Sequence, residues 1–301
     1  MTKIDYGVQI EPQFGYTYQH IKDVAQIAEK HGFESLWTSD HFLIKPDAVD
    51  VNCLECWTTL SALASETKTL RLGNMVSSQS YRNPALHANI AASLDHISGG
   101  RVYFGIGAGW KEVEYNAYNI PFPAPWVRLK QLEEAIEVAK RMWSEPMADY
   151  DGKYYSVHSV SMPKPVQKPL PILVGGMGDQ LLKITAKHAD VSNFSWNTPL
   201  DIYEEKLKVL QKHCKRYGRD YDSIRKSAGL HLAIEGAEAT APAPYEKYSG
   251  TRNWEYKSME DAAEFIRGYA DLGVDHFVIV FPYGSESESI KVLMEKVAPL
   301  V

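Results

Sequence analysis

The sequence predicts a closed (β/α)8 barrel, and three observations carry that prediction. Short Val/Ile/Leu-rich runs alternate with segments of helical period, and the alternation repeats eight times. The length of 301 residues also slightly exceeds the roughly 250 typical of such a barrel. An open doubly wound sheet is the other arrangement open to the same units. Residues 1–301 read as one domain, with excursions at about 144–171 and 237–257 that interrupt the rhythm near the barrel mouth.

The first unit is a strand over Lys3 to Gln9, followed by Ile21, Val24, Ala25 and Ala28 at helical spacing, with Thr17 as N-cap and Gly32 as the stop. Ser35 to Ser39 is the second strand, and Trp57, Leu60, Leu63 and Ala64 mark one face of its helix. Leu70 to Val76 is the third, leading to a helix that begins near Pro84, carries Leu86, Ile90, Leu94 and Ile97 as its apolar stripe, and stops at Gly99-Gly100. Val102 to Ile106 precedes the helix of Leu129, Leu132, Ile136, Ala139 and Trp143. Five prolines between Ser144 and Pro171 break the pattern, and the Tyr154-Tyr155 pair suggests a short hairpin there. Strand Ile172 to Val174 with helix Asp179 to His188, and strand Val191 to Phe194 with a helix ended by Gly218, resume it. Ala228 to Ile234 is the seventh strand, and Ser258 caps its helix with Asp261 three residues on. His276 to Val280, then Ile290, Leu293, Met294 and Val297, complete the eighth unit.

Composition narrows the function. A 45% hydrophobic, 23% charged chain of net charge −6 is ordinary for a globular protein. It has no Lys/Arg block to track a phosphate backbone and no apolar run of membrane-spanning length, so a small-molecule substrate is expected, with no nucleic acid and no membrane. Three cysteines and an N-terminus without signal-peptide character suggest a cytoplasmic protein. Cys53-x-x-Cys56 has neither a second cysteine pair nor a paired histidine for zinc, and it lacks a thioredoxin-like context; no metal site is expected.

In a parallel barrel the chemistry sits just past the C-terminal strand ends. Strand two runs into Ser39-Asp40-His41, a carboxylate beside an imidazole able to exchange protons near neutrality. The plainer reading is a capping Asp40 and a His41 bonded to a neighbouring carbonyl. Strand one ends in Glu11, a proton donor if apolar neighbours raise its pKa and otherwise a solvated loop residue. Strand three ends in Met75-Val76-Ser77-Ser78, which by itself reads as a plain strand end. Strand four continues into Gly105-Ile106-Gly107-Ala108-Gly109-Trp110, small residues that admit a flat ligand beside an aromatic surface, although for Gly105 barrel packing is explanation enough. Glu112 and Glu114 follow. After strand five, Gly175-Gly176-Met177-Gly178 opens a helix as a weak phosphate cradle, or as a tight turn and nothing more.

In their order and spacing, these segments resemble the luciferase-like flavin and deazaflavin oxidoreductase superfamily, in particular its coenzyme F420-dependent branch. The resemblance runs through Gly32-Phe33-Glu34-Ser35-Leu36-Trp37-Thr38-Ser39-Asp40-His41, Arg71-Leu72-Gly73, Tyr81-Arg82-Asn83-Pro84, Leu94-Asp95-His96-Ile97-Ser98-Gly99-Gly100-Arg101, Gly105 to Trp110 and Pro171 to Gly176. It implies a barrel, a homodimer, and a flavin or deazaflavin ring at the mouth beside Asp40 and His41. It further implies a non-prolyl cis peptide at Met75-Val76 behind the ring, Ala108-Gly109-Trp110 lining ring or tail, Gly175 to Gly178 on the phosphate, and Glu11 where some deazaflavin enzymes carry a catalytic acid. Trp110 stands where a sugar-phosphate dehydrogenase of this family has a second Glu, which puts that substrate in doubt. Hydride transfer with coenzyme F420, FMN-dependent monooxygenation, and non-catalytic binding of a flavin or partner are the three functions to separate.

Overall fold

The computed structural model describes residues 3–239, 242–250 and 252–301; Met1 and Thr2 of the leading segment, and Thr240, Ala241 and Thr251 of the second excursion, lie outside them. Eight parallel strands form the barrel: β1 (Asp5–Ile10), β2 (Ser35–Thr38), β3 (Arg71–Asn74), β4 (Val102–Gly107), β5 (Ile172–Gly175), β6 (Val191–Phe194), β7 (Arg225–His231) and β8 (His276–Val280). Each pairs with its neighbours in sequence, β8 pairs with β1 from Asp5↔His276 to Val8↔Ile279, and the ring closes. The helices between them are α1 (Tyr18–Lys30), α2 (Cys56–Glu66), α3 (Pro84–Ser98), α4 (Pro125–Ser144), α5 (Asp179–His188), α6 (Leu200–Tyr217), α7 (Met259–Ala270) and α8 (Glu286–Val292).

Local chemistry sets the element ends. Thr17 caps α1 by accepting the His20 N–H at 3.2 Å, Asn83 caps α3 through Ala85 and Leu86, and Ser258 caps α7 through Asp261. Gly99 and Gly218 end α3 and α6 in the left-handed conformation. The larger core fills the space between strands and helices, while Trp37, Met75, Tyr103, Leu173, Val191 and Val278 fill the barrel itself. Trp37 stacks on Tyr103 at 5.1 Å inside it. At the N-terminal end Arg225 pairs with Asp5 at 2.6 Å and Asp275 at 3.0 Å, stapling β7 to both β1 and the start of β8.

Three expectations change. The third strand breaks after Asn74, whose side chain inserts between strands: Oδ1 accepts the Gly105 N–H at 2.9 Å and Nδ2 donates to the Gly105 carbonyl. A Cβ on Gly105 would strike the Asn74 carbonyl, so this glycine serves packing. Beyond the break the Met75–Val76 peptide is cis, and Ser77–Ser78 pairs with Ile106 and Gly107. The seventh strand leaves the barrel at His231, and Ala233–Ile234 pairs instead with Tyr256–Lys257 of the returning excursion. The expected stripe on α3 is half buried: Leu94 is in the core and Ile90 packs against it, but Leu86 and Ile97 are each 56% exposed, and His87, Ala88, Ala91, Ala92 and Asp95 share the inward face with Leu94. The predicted hairpin pairs Met147–Asp151 with Ser156–Val160, and Glu134 of α4 binds the N–H groups of its turn.

Replacing Asn83 by Ala removes two bonds to otherwise unpaired helix N–H groups and should cost about 1 kcal/mol of unfolding free energy, read from denaturant titration.

Candidate active site

A cavity of about 360 Å³ opens at the C-terminal strand ends, the mouth expected for this fold. It brings together residues distant in sequence: Glu11, Asp40, His41, Met75, Val76, Ser77, Ser78, Ala108, Gly109, Trp110, Gly175 and Gly176 all line it. Met177 and Gly178 do not. Met177 packs against the core, and Gly178 is the N-cap of α5. Gln9, Leu181, Asn193, Ser195 and Trp196, which the sequence reading missed, complete the lining with Ser39, Tyr81 and Gly107, which it named only as members of motifs.

The adjacent Asp40 and His41 side chains part company. Asp40 is buried and receives both Nη groups of Arg82, at 2.5 and 3.0 Å, together with the Ser77 hydroxyl. Ser77 in turn accepts from Asn74 Nδ2 at 2.7 Å and Trp57 Nε1 at 3.2 Å, so the strand end that looked plain is a buried polar junction. His41 is held by a different carboxylate, 73 residues away: its Nδ1 lies 2.8 Å from Glu114 Oε2. Glu114 is fully buried and also accepts from the Phe42 N–H at 2.9 Å, the Leu43 N–H at 3.3 Å, the Tyr81 hydroxyl at 2.6 Å and Lys111 Nζ at 3.2 Å. Burial alone would raise its pKa, but His41, Tyr81 and Lys111 outweigh that penalty and hold it at about 2.

Glu11 shows the opposite balance. Its Oε2 is sealed from solvent without a hydrogen-bond partner, and burial lifts the carboxyl above the usual range against the opposing charges of Arg252 and His41. Gln9 Oε1 is a second buried acceptor without a partner on the same wall. Val76 occupies the middle of the floor: a Cβ on Gly175 would meet its Cγ1 at 3.0 Å and one on Gly107 its Cγ2 at 2.9 Å. Trp110, 73% exposed, sets its edge toward the His41 ring at 5.7 Å. Opposite, Trp196 stacks on His231 at 4.9 Å, and burial keeps that imidazole neutral, its pKa pushed down to about 3.

The cysteines are structural. Cys53 donates to the His41 carbonyl at 3.1 Å and Cys56 lies 3.0 Å from Thr38 Oγ1, while burial pushes the Cys53 thiol up to about 12 and Cys56 well above its usual value. Among the described residues no three His, Cys, Asp or Glu side chains converge as a metal site would require, and no helix is long and apolar enough to cross a membrane.

Because the Glu114 pKa in the folded chain lies below its ordinary value of 4.5, the stabilisation from its ionised form is complete above that value and drains away as pH falls toward about 2. The deficit of Glu114→Gln against wild type, about 1–3 kcal/mol at neutral pH, should therefore shrink on acidification from pH 5 to pH 3, measured by urea unfolding.

Known proteins share this architecture. The family model described as luciferase-like monooxygenase matches residues 4–276. An F420-dependent glucose-6-phosphate dehydrogenase of Kineococcus radiotolerans is 26% identical, the match covering 93% of this chain and 92% of that protein. Among solved structures, an F420-dependent secondary alcohol dehydrogenase in complex with an F420-acetone adduct superposes with a TM-score of 0.85 at 19% identity, covering 99% of both chains. A long-chain alkane monooxygenase superposes with a TM-score of 0.81 at 18% identity, over 99% of this chain and 91% of its own. With the family model spanning most of its length, this chain belongs to the luciferase-like monooxygenase family, within the superfamily of flavin and deazaflavin oxidoreductases.

Proposed function

We propose that the protein transfers a hydride between coenzyme F420 and a small organic substrate, with Glu11 and His41 as its proton partners. The observation that carries this reading is the pair of opposed environments in one cavity. Glu11 is kept toward its protonated form by burial, and His41 is tethered to a carboxylate that stays ionised. A carboxyl pushed toward its neutral form, across the cavity from an imidazole hydrogen-bonded to a carboxylate, is an arrangement that acid and base work can use.

The residues present fit a flat, polar-edged ring. Gln9 Oε1 and Glu11 Oε2 offer unpartnered acceptors on one wall, Gly107 and Gly175 leave Val76 bare as an apolar floor, and the cavity volume of about 360 Å³ suits part of such a ligand. When bound, the deazaflavin supplies the ring carbon that gives or takes the hydride. The chain's own residues do the rest. Val76 and the two glycines hold the floor, and the Asp40–Arg82 pair fixes the loop that carries His41. Glu11, pushed by burial toward its neutral form, faces the cavity, and Trp110 and Trp196 line it.

FMN-dependent monooxygenation is the second reading, favoured by the description of the family model that the chain matches. A comparative binding titration separates the two: F420 should quench intrinsic fluorescence with saturable affinity and FMN should not, whereas preference for FMN with oxygen uptake would replace the first reading by the second. Gly175→Val pushes a side chain into Val76 and should weaken cofactor binding tenfold or more in the same titration.

His41→Ala should lower turnover by about 10²–10⁴ in a protein that still folds, with a loss of about 1–3 kcal/mol for the donor taken from buried Glu114; wild-type turnover in this variant removes His41 from the mechanism.

A further inference from the structure

We propose that Glu114 is the positioning residue that fixes His41 in its Nδ1–H tautomer, so that Nε2 meets the cavity as a lone pair and His41 enters the reaction as a proton acceptor. The inference rests on the reading of His41 as a proton partner and deepens it, because neither the Asp40-His41 motif nor any comparison assigns Glu114 a role.

The argument is one of hydrogen-bond accounting. An ionised carboxylate only accepts, and five donors converge on this one. Phe42 N, Leu43 N and Lys111 Nζ point at Oε1, while His41 Nδ1 and the Tyr81 hydroxyl point at Oε2. An acceptor so fully engaged leaves no place for a proton of its own, so the hydrogen between it and His41 belongs to Nδ1. The neighbouring carboxylate cannot substitute, since Asp40 is occupied by Arg82 and Ser77. Nε2 has no protein partner among the described residues, and the ring lines the cavity. Across the same cavity burial pushes the Glu11 carboxyl toward its neutral form, which complements an acceptor at His41.

Glu114→Gln tests this sharply because the replacement is nearly isosteric but not symmetric. Two backbone N–H groups and Lys111 claim the amide oxygen at the Oε1 position, which turns the amide NH₂ toward His41 Nδ1 and Tyr81. An NH₂ donates, so Nδ1 must accept and the proton moves to Nε2. The readout is the long-range ¹H–¹⁵N correlation spectrum of histidine-labelled, unliganded protein at alkaline pH, where imidazoles are neutral, with the His41 signals assigned by their loss in His41→Gln.

The expected result is Nδ1–H in wild type and Nε2–H in Glu114→Gln. Turnover of the variant should fall by 10²-fold or more with KM changed far less, as a wrong tautomer does in other histidine-dependent enzymes. Retention of Nδ1–H in the variant overturns the proposal. So does Nε2–H in wild type, which decides the matter even if the variant does not fold. If the tautomer switches yet both Glu114→Gln and His41→Ala turn over at the wild-type rate, the functional reading of His41 falls and takes the acceptor role with it, a result distinct from failure of the positioning itself.

Discussion

A single buried carboxylate ties the mouth of this barrel together. Glu114 receives groups from three loops: His41, Phe42 and Leu43 after β2, Tyr81 after β3, and Lys111 from its own loop after β4. Strand ends position a site only as well as the loops that leave them, and loops are the least constrained part of the fold. Converging several donors on one charge removes that freedom at low risk of misassembly, because each donor would otherwise be buried without a partner. The second junction, Asp40 with Arg82 and Ser77, does the same for the turn just before His41 and ties it to the break in the third strand. Glu114 thus bonds the His41 ring itself, while Asp40 anchors the backbone that leads into it.

Much of the architecture is written in local periodicity. The eight strands and their helices follow from alternation and from caps such as Thr17, Asn83, Ser258 and Gly218, each a short-range decision that the chain makes within one turn. What periodicity does not specify is which of two apolar faces turns inward. On α3 Ala88, Ala91, Ala92 and Leu94 are buried while Leu86 and Ile97 stay exposed, so the buried face is turned relative to the Leu/Ile stripe and small residues carry much of it. The breaks in the third and seventh strands likewise depend on contacts to other strands and loops, Asn74 bridging to Gly105 of β4 and Asn197 accepting the His231 N–H.

The site divides in the same way. Strand-end reasoning locates Glu11, His41, Trp110 and Gly175, and the cavity gathers them. Glu114 was visible two residues from Glu112, yet nothing in spacing chooses between them; only the short helix Glu112–Ala117 turns one inward and leaves the other outside. Asn193, Ser195 and Trp196 follow directly from β6, and the strand-end rule applied there would have found them. Adjacency sets Asp40 beside His41 in the sequence, yet consecutive residues of an extended segment point to opposite sides, and the carboxylate that His41 meets is Glu114.

The Trp37–Tyr103 stack in the barrel interior separates two charged worlds: the Arg225 staple below and the carboxylates and imidazole of the mouth above. An apolar plug of that thickness decouples them, so charge can be rearranged at the mouth without disturbing the ion pairs that close the floor. A lineage with this architecture is free to explore new substrates by rewriting loops while its foldability is underwritten from the other end.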